Sequence, residues 1–175
     1  MAYKLTSQVI GAQPIATTSV SATVANLATG QNHPLGTVVR AKDPTLGEGE
    51  FIYLLGCANT VVGSVVSWNA TSFLTTLVPN TANLAVPLAV AMSANVANSY
   101  GWYQIGGLAT VKKTAVAVSP QVVMYISGTA GRLMTTSASG KQILGAKSAN
   151  LTSVTSTTST VVVLINQPHA QGRVT

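Results

Sequence analysis

General acid–base or metal chemistry would have to start from acidic side chains, and this 175-residue chain carries only three. They are Asp43, Glu48 and Glu50, gathered in Asp43-Pro-Thr-Leu-Gly-Glu48-Gly-Glu50. Three carboxylates on a glycine-bearing loop are the donor type a hard cation such as calcium takes. The spacing is not that of an EF-hand, and Arg40 and Lys42 stand close enough to neutralise the charge. Glu48 and Glu50 lie two residues apart and share a face if the segment is extended, which is where a hydrolase reading would begin. A glycosidase, however, needs two carboxylates across a cleft, and a single cluster supplies one side only. A turn leading into a charged strand edge fits better, because edge charge discourages stray strand pairing.

The remaining reactive side chains are sparse. His33 and His169 lie beside prolines near opposite ends of the chain, whereas a zinc site wants three or four ligands at recognisable spacing. Gly-x-Ser-x-Gly, phosphate-loop and dinucleotide fingerprints are absent from the sequence. The single Cys57 excludes an intrachain disulfide. Its setting, Phe-Ile-Tyr-Leu-Leu-Gly-Cys57, predicts a buried strand position, and such cysteine usage fits folding in a reducing cytoplasm. The expectation is a non-enzyme with no catalytic residue, no cofactor and no metal.

Two further groups bear on binding. Tyr100, Trp102 and Tyr103 form the densest aromatic group, and three readings stand open: core packing, an interface anchor, or a sugar platform. In an extended segment Tyr100 and Trp102 share one face and Tyr103 takes the other. Trp68, Arg40, Glu48 and Glu50 join these three as interface candidates. The net charge of +6 raises nucleic-acid binding, but the nine basic residues are dispersed and only Lys112 and Lys113 are adjacent. A groove that tracks phosphates wants clustered charge interleaved with aromatics. A mild positive excess suits docking on an acidic protein surface, where complementarity speeds encounter and fixes register. No nucleic-acid partner is expected.

The elements that must position these residues read as strands. Val, Ile, Thr and Tyr recur in short runs punctuated by Gly, Pro, Asn and Ser. Expected strands are 38–40, 51–57, 61–68, 73–78, 88–92, 101–105, 108–112, 122–127, 132–136 and 161–166. Gly128-Thr-Ala-Gly131 reads as a hairpin connection, and Gly106-Gly107 as a bulge or bend at which one strand changes sheets. The one helix signal, Ser21 to Ala28, is weakened by Thr23 and Val24. Ser148 to Thr160 reads either as a loop or as two Thr-rich strands. The fold class is therefore all-β, a jelly-roll-like or Greek-key β-sandwich or barrel. Residues 1–35 are expected to form an extended N-terminal arm or an edge strand, 36–167 the domain, and 168–175 a loose tail.

Charge is the unusual total. Charged residues are 7% of the chain, against about 25% in an ordinary soluble domain, and the mean hydropathy is +0.41. A membrane span does not explain this, since no stretch approaches the roughly 20 apolar residues one requires. The N-terminus lacks the basic and apolar regions of a secretory signal, which an outer-membrane barrel would normally carry along with aromatic girdles. What remains is a surface meant for burial by neighbours, because obligate interfaces are depleted in charge at their cores.

Two segments carry a resemblance. PLGTVVRAKDPTLGEGEFIYLLGCANTVVGSVVSWN at 34–69 and PLAVAMSANVANSYGWYQIGGLATV at 87–111 resemble parts of tailed-bacteriophage head decoration proteins, the capsid cement proteins encoded near the major capsid protein. The strings Gly-Glu-Gly-Glu-Phe-Ile-Tyr and Tyr-Gly-Trp-Tyr-Gln-Ile-Gly-Gly carry most of the likeness, which spans roughly 34–165. It implies a mostly β virion protein, commonly trimeric, made in the host cytoplasm. It would sit on the capsid exterior against the major capsid protein and bridge neighbouring capsomers. A virion adhesin or carbohydrate-binding module is the alternative, resting on Tyr100 to Tyr103.

Overall fold

The computed structural model of the chain describes residues 4–5, 15–16, 18–20 and 31–173. All regular structure among them is β, in twelve strands. Three come early: β1 (Lys4–Leu5), β2 (Thr18–Val20) and β3 (Val38–Asp43). Then follow β4 (Gly47–Leu55), β5 (Val65–Trp68), β6 (Thr75–Leu77) and β7 (Leu88–Ala91). The C-terminal part holds β8 (Ser99–Lys112), β9 (Val123–Ile126), β10 (Leu133–Met134), β11 (Gln142–Ser148) and β12 (Thr160–Ala170). The expected helix at Ser21 to Ala28 lies outside the described residues.

Every pairing between these strands is antiparallel, and the main path runs β1-β3-β4-β8-β12-β11-β9-β10. The long β8 is the branch point. Its N-terminal half pairs with β4, β2 and β7, and its C-terminal half with β12. The hand-over falls at Gly106 and Gly107, which face Glu50 and Gly49 on β4 and also Asn166 and Ile165 on β12. The register against β4 shifts there by a bulge, so the expected glycine bend is real, within one continuous strand rather than two. Gly107 has φ +92°, and a Cβ there would drive into the Glu48 carbonyl. Only glycine satisfies both conditions.

Among the described residues the apolar side chains form three clusters. One, on one face of β3, β4 and β8, joins Val39, Ala41, Phe51, Tyr53 and Trp102, with Ile15 from the N-terminal region seated among them. A second lies on the other face of β4 and β8, where Ile52, Leu54, Tyr103 and Ile105 meet Val66, Ala89 and Ala91 of β5 and β7. The largest gathers Val65, Leu88 and Val90 against Met124, Ile126, Ile143, Val161, Val163 and Ile165. The sheet therefore curls until β5 and β7 face β9, β11 and β12. The curl is tied by the Pro87–His169 bridge and by the Ala170 N–H donating to Val86 O.

Several boundaries differ from the sequence expectations. The tail was expected to be loose from residue 168, but β12 continues to Ala170, which is buried. Gln171 and Gly172 donate backbone hydrogen bonds to Gln142 O and Leu84 O. Ile165, Pro168 and Ala170 all turn inward because the strand is irregular between them, with Gln167 at φ +44°. The strand expected over 61–68 is β5 alone, since Val61 to Ser64 form a turn closed by Ser64 N–H donating to Val61 O. β11 had not been expected at all. Of the low-complexity stretch, Ser148 ends β11 and residues 149–159 form a loop tied by one bridge, Val118 to Val154.

Candidate interaction surface

The charged hairpin β3–β4 separates the three carboxylates. Cross-strand pairs place Val39 with Phe51, Ala41 with Gly49 and Asp43 with Gly47 on the inner face, and Arg40 with Glu50 and Lys42 with Glu48 on the outer. Asp43 is buried, and its Oδ1 accepts the N–H groups of Thr45 (2.8 Å) and Leu46 (2.9 Å), so it shapes the turn. Glu48 is exposed, while Glu50 is half-buried between Arg40 Nε at 3.9 Å and Gln167 Nε2 at 2.7 Å. The three-carboxylate cation loop does not form, because period-two alternation turns Asp43 away from Glu48 and Glu50. Among the described residues no group of three His, Cys, Asp or Glu side chains converges.

The aromatic group sorts by face as the spacing predicts. Trp102 and Tyr103 are fully buried on opposite sides of β8, and Tyr100 is half-buried beside Tyr53 at a ring distance of 6.3 Å. As interface candidates Trp102 and Tyr103 are therefore withdrawn into the core, where each fills a cluster between sheet faces. The Tyr103 hydroxyl lies by Thr75 and Asn95, and burial raises its pKa well above the usual phenol value. Trp68 is half-buried and stacks on Phe73 at 6.2 Å. Arg40, Glu48, Glu50, Tyr100 and Trp68 keep surface; Trp102 and Tyr103 do not.

His33 was singled out only as an isolated histidine, and it proves to be buried against Tyr53 (5.2 Å) and Trp102 (5.3 Å). Burial lowers its pKa below the ordinary 6.5. His169 is exposed on β12. Cys57 is a correction: it lies in the turn after β4, half-buried, with Sγ 3.2 Å from Thr60 Oγ1, not in a strand. Lys113, read merely as one of a basic pair, is 1% exposed. Its Nζ donates to three carbonyls, Val116 O (2.8 Å), Thr155 O (3.0 Å) and Thr114 O (3.3 Å). Burial lowers its pKa.

What sequence reasoning passed over is the outer face of β8, β12, β11 and β9. Register sets Leu108 beside Leu164, Leu164 beside Lys147, and Lys147 beside Val123, one row across four strands. Val123 is 44% exposed, Leu164 39% and Leu144 37%. A bulge at Gly145, φ +72°, lets Leu144 and Lys147 both point outward around it. Together these residues edge a shallow groove of about 320 Å³. The signal was present in Val161-Val-Val-Leu-Ile165: a strand buried on one face alternates, and an unbroken apolar run marks a strand apolar on both.

No family model, no curated protein and no solved structure matches the chain.

Proposed function

We propose that the chain is a structural virion protein, a decoration or cement protein that binds the outside of a tailed-phage icosahedral head and stabilises contacts between capsomers. The observation that carries this reading is an apolar sheet face, centred on Val123, Leu144 and Leu164, left exposed on a molecule with 7% charged residues. Exposed apolar side chains gathered on one sheet face, rimmed by polar residues, are characteristic of surfaces that meet another protein. The resemblance of 34–69 and 87–111 to head decoration proteins supplies the shell as the neighbour, with the major capsid protein as partner and a homotrimer as the favoured oligomer. The adhesin alternative loses ground, since two of the three aromatics it would present, Trp102 and Tyr103, are buried.

The test is co-sedimentation with empty, expanded heads assembled from the shell protein of the same genome. Saturable binding and greater resistance of the decorated heads to heat are expected. Protein that stays wholly in the supernatant overturns the proposal.

A further inference from the structure

We infer that the outer face of β8, β12, β11 and β9 is the docking face, and that its occupant is a protein surface both apolar and acidic. The inference rests on the reading of the chain as an assembly protein and specifies which side of it meets the partner. Its apolar half is Leu108, Leu164 and Val123, in one row with Lys147, and Leu144 beyond the Gly145 bulge. Val162, paired with Thr110, extends the same face towards Lys112, paired with Thr160.

Charge identifies the occupant. All three acidic side chains of the sequence precede Phe51, and six of the nine basic ones follow it. The four strands of this face carry Lys112 and Lys147 and no carboxylate. Glu50, the acid on β4 that reaches across to β12, is already met by Arg40 and Gln167. Lys147 stands exposed between two apolar neighbours, Val123 and Leu164. A second copy docked here about a two-fold axis near Lys147 would set lysine against lysine, the acids on this side, Glu48 and Glu50, lying out at the β4 edge opposite Lys42 and Arg40, and like-charge juxtaposition is what interfaces are built to avoid. A partner offering carboxylates among apolar side chains satisfies both halves, desolvating the aliphatic side chains while pairing the ammonium groups of Lys147 among them and Lys112 beside them.

The probe is alternating poly(Glu-Leu), with alternating poly(Lys-Leu) as its charge-reversed counterpart, each titrated calorimetrically against the full chain. Binding to the first and at least tenfold weaker binding to the second are expected, the difference shrinking as salt is raised. Lys147→Glu and Leu164→Asp should each weaken poly(Glu-Leu) binding at least fivefold. Leu74→Asp, an exposed leucine on the β5–β6 side, should leave it unchanged, and unaltered melting of all three variants separates lost docking from lost folding. Equal binding to both polymers, or a Leu164→Asp variant that binds like the parent, overturns the inference. So does a concentration-dependent dimer abolished by Leu164→Asp, which would give the face to a second copy, or capture by anionic vesicles in preference to the polymer. Head co-sedimentation keeps the two proposals apart. A Leu164→Asp protein that still decorates heads removes this face and leaves the head reading. A parent that ignores heads yet discriminates the polymers does the reverse.

Discussion

His33 lies with its ring centroid 5.3 Å from that of Trp102 and 5.2 Å from that of Tyr53, and its burial there strips the water a charged imidazole needs. Its folded pKa is lowered, so below pH 6.5 the unfolded chain binds the proton more readily than the folded one. Stability from this residue is present above pH 6.5 and is lost as the pH falls from there through the folded value. Melting temperatures measured between about pH 7.5 and 5 should fall for the parent and fall less for His33→Gln; parallel curves would count against the burial argument. Lys113 makes the second residue-scale prediction. Lys113→Met removes the ammonium donor from the carbonyls of Thr114, Val116 and Thr155, of which Thr155 keeps the Thr158 hydroxyl, at a cost of about 1–3 kcal/mol by urea unfolding. A variant as stable as the parent would show those carbonyls to be served by water. The opposed faces of Trp102 and Tyr103 were legible in the sequence, since they need only period two. The burial of His33 and Lys113 was not, because what covers each comes from residues distant in the chain, Tyr53 and Trp102 for one and Thr155 for the other.

Strands were legible where apolar runs are bounded by glycine, as at Gly128 to Gly131, which joins β9 to β10 as a hairpin with Leu133 opposite Ile126. β11 was missed because Gly145 and Lys147 interrupt its pattern: Gln142-Ile-Leu-Gly-Ala-Lys-Ser148 alternates only once the bulge is counted out. That bulge should be sensitive. Gly145→Ala puts a methyl into the Asn166 carbonyl from a φ of +72°, and a loss of about 1–3 kcal/mol is expected in chemical denaturation. Gly107→Ala, blocked by the Glu48 carbonyl, should lose a comparable amount, with protection from amide exchange failing first in β4 and β8. Wild-type stability in either variant would mean that the sheet can re-register around the added methyl.

At the scale of the molecule, the largest cluster spans strands from β5 to β12, so one truncation there weakens the whole. Ile126→Ala, fully buried, should cost about 2–5 kcal/mol. Leu151, 97% exposed in the segment before β12, should tolerate Leu151→Ser within about 0.5 kcal/mol. Thermal or urea unfolding of the pair checks both, and equal losses would contradict the assigned core. The all-β class followed from composition and punctuation. The curl did not, because β8 takes β2, β4, β7 and β12 as partners and no local pattern says which.

That branching also bears on the order in which the protein is made. β8 is synthesised roughly fifty residues before β12, which at about 5–20 residues per second leaves it several seconds without the neighbour that closes its C-terminal half. During that interval Ala109 to Lys112 is an open edge on the nascent chain, able to pair with the same segment of a chain on the next ribosome. Lys112 and Lys113 sit at the end of that edge, and their like charges would repel a parallel, in-register pairing until β12 arrives.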